Sequence, residues 1–235
     1  MHDKTDLRTA DDVLVARGIE KSYPLPHGRL EVLKGLDLNV RRGTILAILG
    51  ASGAGKSTLL NILGTLDRPD AGSIEIRGLR VDRRAEAELA RFRASRLGFV
   101  FQFHHLLPEF SAEENVMMPL LIARRPPAEA RERARRALVG VGLAERWEHR
   151  PAELSGGEAQ RVAVARALVA EPELVLADEP SGTLDQRAAG ALHELLASLR
   201  AGGHQTFVVV THNDRLAAIA DRVLTLESGR LHETA

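Results

Sequence analysis

The sequence predicts an α/β fold built on a largely parallel sheet, and two observations carry this prediction. Three short apolar runs, Ile45–Leu49, 174–177 and 207–210, contain no alternating polar residues. Continuous apolar runs of this length are typical of parallel strands that are buried on both faces. The second observation is that helical periodicity follows the first two runs. Strands that alternate with helices favour a parallel sheet.

The helical periodicity is clear in the spacing of apolar residues. After the first run it places four residues on one helix face at i, i+3, i+4 and i+7: Leu59, Ile62, Leu63 and Leu66. After the second run it places six residues on one stripe: Ala188, Ala191, Leu192, Leu195, Leu196 and Leu199. We therefore expect each of these strands to lead into a helix that packs on the sheet.

The first 40 residues and a later segment have a different pattern. Residues 13–22, 36–40 and 73–81 are short and partly alternating, and turn residues such as Pro24 and Gly28 separate the first two segments. Half-buried antiparallel strands have this pattern. We expect an antiparallel β layer at the edge of the parallel core.

Residues 102–157 interrupt the strand–helix alternation. Five prolines punctuate this stretch: Pro108, Pro119, Pro126, Pro127 and Pro151. An amphipathic helix over 130–141 carries four arginines on its polar face, Arg131, Arg133, Arg135 and Arg136. We interpret them as a solvated face, with an anion site as the alternative. The predicted organisation is a nucleotide-binding core with its β layer (1–101 and 158–235) and an inserted helical subdomain (102–157).

Composition excludes several classes of protein. The chain has 235 residues, enough for one sizeable domain, and its formal net charge is zero, so nothing favours a nucleic-acid partner. The absence of cysteine excludes disulfides and thiolate chemistry. No apolar run approaches the roughly 18 residues of a membrane-spanning helix, and the polar start has no signal core. We expect the chain to stay in the cytoplasm.

The strongest chemical signal is a glycine-rich turn. Residues 50–57 fit the pattern G-x-x-x-x-G-K-[ST], directly after a buried strand and at the start of a helix. The turn directs backbone N–H groups at phosphates, and the helix N-terminus adds partial positive charge. Lys56 can reach the β- and γ-phosphates, and the Ser57 hydroxyl can bind Mg²⁺. The expected contacts are Gly50, Ala51, Ser52, Gly53, Ala54, Gly55, Lys56, Ser57 and Thr58.

Two adjacent carboxylates end the second buried strand, Asp178 and Glu179. Carboxylates in this position are costly unless they have partners or a function. Beside a phosphate-binding loop, Asp178 suits holding Mg²⁺ and Glu179 suits polarising an attacking water. The alternative is a strand that simply leaves the core for solvent.

A second helix start resembles an anion site. Ser155, Gly156 and Gly157 follow Leu154 and open an alanine-rich helix that runs to about Ala170. The plain alternative is an ordinary N-cap. An NTPase acting as a single chain needs one phosphate-binding turn, so a second one requires an explanation.

These motifs, in this order, resemble the ATP-binding subunits of ABC transporters, and the likeness covers nearly the whole chain. The resemblance implies a P-loop NTPase (RecA-like) core that binds ATP and Mg²⁺. It also implies a head-to-tail homodimer in which Ser155, Gly156 and Gly157 of one subunit close on the γ-phosphate held by the other. The second anion site then serves the partner subunit.

The resemblance assigns further residues. Tyr23 matches the aromatic that stacks on adenine, with a plain strand tyrosine as the alternative. Gln102 matches the glutamine that contacts Mg²⁺ and senses nucleotide, and His212 matches the histidine that contacts the γ-phosphate. Asp185 belongs to the loop that crosses the dimer interface, and Gln160 of the second glycine-rich helix is counted among the nucleotide contacts. The implied catalytic set is Glu179, His212, Gln102 and Lys56.

A finer likeness lies in residues 101–110 and 114–121, which resemble the LolD family of lipoprotein-releasing ATPases. Residues 66–69 also fit the wider group that includes MacB and FtsE. The likeness implies two integral membrane permease subunits (LolC/LolE-like), lipoprotein cargo handled indirectly, and a peripheral location at the cytoplasmic face of the inner membrane. MacB-type efflux and FtsE-type cell division are alternatives.

Two less favoured alternatives leave the membrane altogether. Soluble ABC ATPases that act on ribosomes usually carry two cassettes, and this chain carries one. DNA-maintenance ATPases insert long coiled coils before the second glycine-rich helix, whereas only about fifty residues separate Gln102 from Leu154.

Overall fold

A computed structural model describes residues 11–202 and 205–234. Its strands are β1 (Asp12–Leu25), β2 (Gly28–Arg41), β3 (Ile45–Leu49), β4 (Ala71–Ile76), β5 (Leu79–Arg80), β6 (Leu97–Val100), β7 (Leu174–Asp178), β8 (Phe207–Thr211), β9 (Arg222–Glu227) and β10 (Arg230–Glu233). Its helices are α1 (Lys56–Leu63), α2 (Glu86–Arg96), α3 (Ala112–Ile122), α4 (Pro127–Gly140), α5 (Gly156–Leu168), α6 (Gln186–Ala201) and α7 (Asp214–Ala217), with a 3₁₀ turn over Pro151–Glu153. No helix within these residues is long and apolar enough to cross a membrane. Residues 1–10, 203–204 and 235 of the predicted core lie outside the described residues.

The larger sheet has the strand order β10-β9-β3-β8-β7-β6, and all its neighbours are parallel except β10 and β9. The three apolar runs form β3, β7 and β8, as predicted. Because β3 pairs with both β8 and β9, the glycine-rich turn that follows β3 leaves the interior of the sheet. Ligands of open parallel sheets bind at this carboxyl end of the strands.

The two faces of this sheet bury different partners. In β8, Val208 and Val210 face α1 and the smaller sheet, whereas Phe207 and Val209 face the core shared with α5 and α6. All four side chains are fully buried. Burial on both faces is the physical reason why these strands have no polar alternation.

The smaller sheet is antiparallel, with the order β2-β1-β4-β5, which confirms the predicted β layer. Its strands β1 and β2 are 14 residues each and longer than the patterns predict. The first residues of β2 are exposed on the hairpin, so they show no alternation of burial. In this hairpin Tyr23 pairs with Leu30.

Two details of the helix predictions were wrong. Leu66 does not lie on the buried face of α1, because the helix ends at Leu63 with Gly64 as its C-cap, and Leu66 is exposed. A Cβ at Gly64 would lie 2.5 Å from the Phe99 ring, so the chain passes the sheet too closely there for any side chain. In α6, Ala191 is exposed. The buried face of that helix is Ala189, Leu192, His193 and Leu196.

The helical region packs as a layer that continues into the core. Helices α3 and α4 contact each other and α5, and α5 also contacts β6. The four arginines of α4 each pair with a carboxylate, namely Arg131 and Arg135 with Glu113, Arg133 with Glu129 and Glu171, and Arg136 with Glu132. This pairing favours the solvated-face interpretation over an anion site. The division at residues 102 and 157 stays a prediction.

Candidate functional site

A cleft of about 740 Å³ lies at the carboxyl ends of the parallel strands, beside the β1–β2 hairpin. Its lining is Tyr23, Leu30, Val32, Ser52, Gly53, Gly55, Lys56, Ser57, Thr58, Gln102, Asp178, Glu179 and His212. Most of the residues predicted from the two motifs therefore meet in one place. The predicted residues outside this lining are Gly50, Ala51, Ala54, Ser155, Gly156, Gly157, Gln160 and Asp185.

The glycine-rich turn is shaped by its glycines. Gly53 and Gly55 have φ of 80° and 100°, in the left-handed region that side chains disfavour. A Cβ at Gly55 would also lie 2.8 Å from Val32 Cγ1. Helix α1 begins directly after Gly55, with no side-chain cap and no acidic residue in its first turn. Its first backbone N–H groups are therefore not capped from within the chain, which suits an anion.

Lys56 lies across this turn. Its side chain is largely buried, and Nζ donates to the carbonyl oxygens of Gly50 (2.7 Å) and Ala51 (3.1 Å). Nζ is also 3.7 Å from Glu179 Oε1. The ammonium group is thus held by neutral carbonyls and one carboxylate at the open end of an uncapped helix, where phosphate oxygens would be attracted.

Asp178 provides oxygen ligands beside the turn. Burial raises the pKa of Asp178, a hydrogen bond with Ser57 opposes this, and the nearby charge of Glu179 raises it further. The nearby charge of Lys56 lowers the pKa, and a bound cation would add to that effect. The Ser57 hydroxyl, the Asp178 carboxylate and the Gln102 amide oxygen are the hard donors that Mg²⁺ prefers, so this donor set fits the ion.

Residues at the end of β8 hold the Glu179 carboxylate in place. Its Oε2 accepts from Thr211 Oγ1 (2.9 Å) and from the His212 backbone N–H (3.2 Å). His212 Nδ1 lies 2.8 Å from Oε1, a distance at which a protonated Nδ1 donates to the carboxylate. The His212 side chain is 68% exposed, so its other ring nitrogen is free to face a ligand.

The backbone of Glu179 is strained. Its φ is 44°, a conformation that costs a residue with a Cβ on the order of 1–3 kcal/mol. The surrounding bonds maintain it, since the Glu179 N–H donates to Val210 O and the Gly182 N–H donates to Glu179 O, both at 2.9 Å. Strain of this kind is common where a side chain must be aimed at a ligand.

Gln102 reaches the cleft from the end of β6. Gly182 packs against its side chain, and a Cβ at Gly182 would lie 3.0 Å from Gln102 Nε2. The Thr183 hydroxyl donates to the Gln102 carbonyl at 3.2 Å. Residues of the loop after Glu179 therefore contact Gln102 and fix its position.

The second glycine-rich helix start lies on a different surface. Ser155 caps α5, accepting from the Glu158 N–H at 3.2 Å, and its own N–H and hydroxyl donate to Glu158 Oε2. These bonds, followed by the Arg146 guanidinium, lower the pKa of Glu158 to about 2. Ser155 and Gly156 are exposed and Gly157 is buried. Asp185 is also exposed and caps α6 by accepting from the Ala188 N–H at 2.8 Å.

The predicted nucleotide contact by Gln160 is not supported. Its side chain is 1% exposed, and Nε2 donates to the carbonyl of Phe101 at 2.9 Å. A buried amide that is already bonded cannot reach a ligand on another subunit. We correct its role to holding the segment that leads into Gln102.

Several residues of the site were missed by the sequence analysis. Leu30 and Val32 add an apolar side to the cleft beside Tyr23, and only the strand pairing of Tyr23 with Leu30 would have indicated them. His193 is buried and its Nε2 lies 3.0 Å from Ser181 Oγ, in the loop after Glu179. Burial, and then the charge of Arg215, lower the pKa of His193. No local pattern indicates this pair, because it joins a loop to the inner face of α6.

Comparison with known proteins agrees with this architecture. The sequence model of the family described as "ABC transporter" matches residues 33–182. A solved dimeric structure of a post-hydrolysis state of the ATP-binding cassette MJ0796, bound to ADP and Pi, is 36% identical with a TM-score of 0.85. The match covers 94% of this chain and 98% of that one. The chain therefore belongs to the ABC transporter family and has its P-loop α/β fold, and it binds and hydrolyses ATP.

The similarity extends to one type of subunit. The "Lipoprotein-releasing system ATP-binding protein LolD" of Bacteroides fragilis is 54% identical over 91% of this chain and 97% of that protein. The protein of the same name from Geobacter metallireducens is 52% identical over 93% of this chain and 97% of its own length. These matches confirm the likeness to the LolD type that residues 101–121 indicate.

Proposed function

We propose that this chain powers the release of lipoproteins from the inner membrane, by hydrolysing ATP as a subunit of an ABC complex. The observation that carries the hydrolytic part is the junction of Lys56, Glu179 and His212 in one cleft, where the carboxylate lies 2.8 Å from the imidazole and 3.7 Å from the ammonium. The lipoprotein-releasing part is supported by the LolD relatives.

The lining of the cleft supports one mode of ATP binding. Tyr23, beside Leu30 and Val32, stacks on the adenine, and the uncapped start of α1 receives the phosphates through the backbone N–H groups of residues 50–58. Lys56 adds charge beside the β- and γ-phosphates. Ser57, Asp178 and Gln102 would hold Mg²⁺, which when bound would neutralise charge on the phosphate oxygens.

The reaction is in-line attack of water on the γ-phosphorus. A new bond forms between the water oxygen and phosphorus, the bond to the β–γ bridging oxygen breaks, and ADP leaves. Glu179 accepts a hydrogen bond from the water, orients it and takes the proton that the water loses as the new bond forms, and inorganic phosphate is the second product. Lys56 stabilises the charge on the γ-phosphate, and His212, held through Nδ1 by Glu179, faces the same group.

The working unit is a head-to-tail homodimer. Within the described part of the chain, Ser155, Gly156 and Gly157 do not line their own cleft, yet two of the three are exposed. They complete the cleft of a second copy, against its γ-phosphate, and Asp185 lies at the same interface. The dimeric solved cassettes support this assembly.

The membrane subunits dock on the helical side. Four large apolar side chains between residues 103 and 122 are exposed, namely Phe103 (65%), Leu107 (41%), Phe110 (38%) and Ile122 (67%). We infer that these exposed apolar side chains contribute to an interaction surface. We assign it to two integral membrane permease subunits of the LolC/LolE type, which place the chain at the cytoplasmic face of the inner membrane.

The test is co-purification with a trapped variant. A tagged Glu179→Gln chain is extracted from its native membranes in mild detergent, and the proteins that accompany it are identified. We expect ATP to remain bound, turnover to fall at least about 100-fold because the water loses its oriented acceptor, and two related permeases with lipoproteins to be recovered. Glu194→Gln, on the exposed face of α6, is the matched control.

Other outcomes separate the parts of the proposal. A single permease type with an efflux or cell-division function would overturn lipoprotein release and keep the ATPase. Ribosomes or DNA without any permease would overturn the transport function. Normal turnover of Glu179→Gln would remove Glu179 from its assigned role.

A further inference from the structure

The segment that follows α1 contacts the residues around Tyr23, and no step of the reaction uses it. We infer that Asp67 is a positioning residue that fixes the Tyr23 ring for stacking on the nucleotide base. The inference rests on the proposed role of Tyr23.

The contacts of Asp67 are specific. Its Oδ2 accepts from the Tyr23 hydroxyl at 3.0 Å, and its Oδ1 accepts from Lys21 Nζ at 2.8 Å. Lys21 Nζ also donates to the Arg68 carbonyl at 2.7 Å and lies over the Tyr23 ring, 5.2 Å from its centroid. The Asp67 carboxylate therefore binds both the hydroxyl at the edge of the Tyr23 ring and the Lys21 ammonium that lies over the ring.

Charge and burial strengthen this arrangement. The Lys21 side chain is largely buried, so its ammonium depends on Asp67 for compensation. Burial by itself would raise the pKa of Asp67, but hydrogen bonds from Lys21, the Arg68 N–H and Tyr23 outweigh it and hold the pKa below its usual value. Asp67 is therefore ionised at neutral pH and able to accept both bonds.

The ring remains available to a ligand. Tyr23 is 37% exposed and lines the cleft. An unanchored tyrosine on an exposed hairpin would lose rotamer freedom on binding the base, and this loss opposes binding. Because the Asp67 bond removes that freedom beforehand, more of the stacking energy contributes to affinity.

Asp67 belongs to the same element as the phosphate site. The N–H groups of Leu66 and Asp67 both donate to the Asn61 carbonyl, at 2.8 and 3.2 Å, so the segment is bonded to the end of α1. Helix α1 begins with Lys56 in the glycine-rich turn. One short helix therefore connects the groups that bind the phosphates with the group that orients the ring.

The experiment compares two ligands, ATP and inorganic tripolyphosphate, by titration calorimetry. Tripolyphosphate reaches the phosphate site and has no base. We expect Asp67→Ala and Tyr23→Phe each to weaken ATP binding about 3- to 10-fold, the cost of immobilising one side chain on binding, and to leave tripolyphosphate unchanged. The double variant should be no weaker than the weaker single variant, because both remove the same bond.

Asp70→Ala is the matched control, since Asp70 lies in the same segment but bonds to the N–H and hydroxyl of Ser22. The Asp70→Ala variant should leave the ratio of the ATP affinity to the tripolyphosphate affinity unchanged. Equal weakening of ATP and tripolyphosphate by Asp67→Ala, additive losses, or unchanged ATP affinity would each overturn the inference. Tyr23→Phe provides the same test if Asp67→Ala does not fold.

The parent protein separates this inference from the proposed function. If the unaltered chain binds ATP no better than tripolyphosphate, base stacking on Tyr23 is wrong and the inference falls with it. If the unaltered chain prefers ATP and the variants retain that preference, only the inference fails.

Discussion

Helices α1 and α5 both have glycines at their start, yet their N-termini differ. Gly55 precedes α1 and offers no side-chain cap, whereas Ser155 caps α5 and Glu158 bonds back to the Ser155 N–H and hydroxyl. The start of α1 thus leaves its N–H groups to a ligand. The start of α5 already holds a carboxylate, which Arg146 fixes at 3.0 Å.

The difference indicates that the starts of α1 and α5 bind phosphate under different conditions. An uncapped helix start beside a lysine attracts phosphate on its own. A start occupied by an internal carboxylate must give up part of that bonding before it accepts another anion. We therefore expect α1 to bind nucleotide in a separate chain and α5 to act only when a second subunit presents the γ-phosphate.

The largest effect is expected from removing the cation at α1. Lys56→Ala should weaken ATP binding about 100-fold or more, because a largely buried charge at the phosphates is lost. Titration with a fluorescent nucleotide measures the affinity. The control variant Lys34→Ala removes a lysine elsewhere in the chain and should bind the nucleotide as tightly as the parent does. An unchanged affinity of Lys56→Ala would contradict the assignment of the glycine-rich turn.

An intermediate effect is expected at α5, on turnover and not on binding. Ser155→Ala should bind ATP within about 2-fold of the parent, while turnover falls about 10-fold because the partner's γ-phosphate loses a hydroxyl contact. Ser111→Ala removes the same capping box from α3 and should cost a similar stability, about 1 kcal/mol, without lowering turnover. Equal turnover in both variants would show that Ser155 is only a cap.

The smallest effect concerns stability in acid. The pKa of Glu158 falls from 4.5 to about 2 on folding, so its contribution is complete above about 4.5 and is lost as the pH falls toward 2. Thermal melting of Glu158→Gln should therefore depend less on pH in that window than the parent does. Parallel melting curves would mean that the carboxylate contributes no net stabilisation to α5.

The sequence predicted the parallel core because burial on both faces leaves a visible pattern, as in Ile45–Leu49. It predicted the cleft because residues 50–57 require a fixed local geometry. It failed where distant packing decides the outcome. Periodicity extended α1 to Leu66, although the Phe99 ring leaves no space for a side chain at Gly64. Helix α2 has only Leu89 fully buried, so it showed no apolar stripe.

The failures at the site have the same origin. The position of Gln160 in a motif does not reveal that its amide faces Phe101 and not the surface. Leu30 and Val32 lie beside the turn because a hairpin folds back, which no local spacing encodes. The glycine-rich turn depends on its own backbone conformation and leaves a local pattern, whereas the positions of Leu30, Val32 and His193 depend on partners from other elements.

Helix α1 connects the phosphate turn at Lys56 with the segment whose Asp67 accepts a hydrogen bond from Tyr23, and its buried residues pack in one core with both sheets. On the proposed binding mode, the protein therefore sets the distance between the base at Tyr23 and the phosphates at the glycine-rich turn. Adenosine and tripolyphosphate supplied as separate molecules each lose translational freedom on binding, whereas ATP loses it once. A nucleoside diphosphate can match the base position but leaves the γ-phosphate position empty.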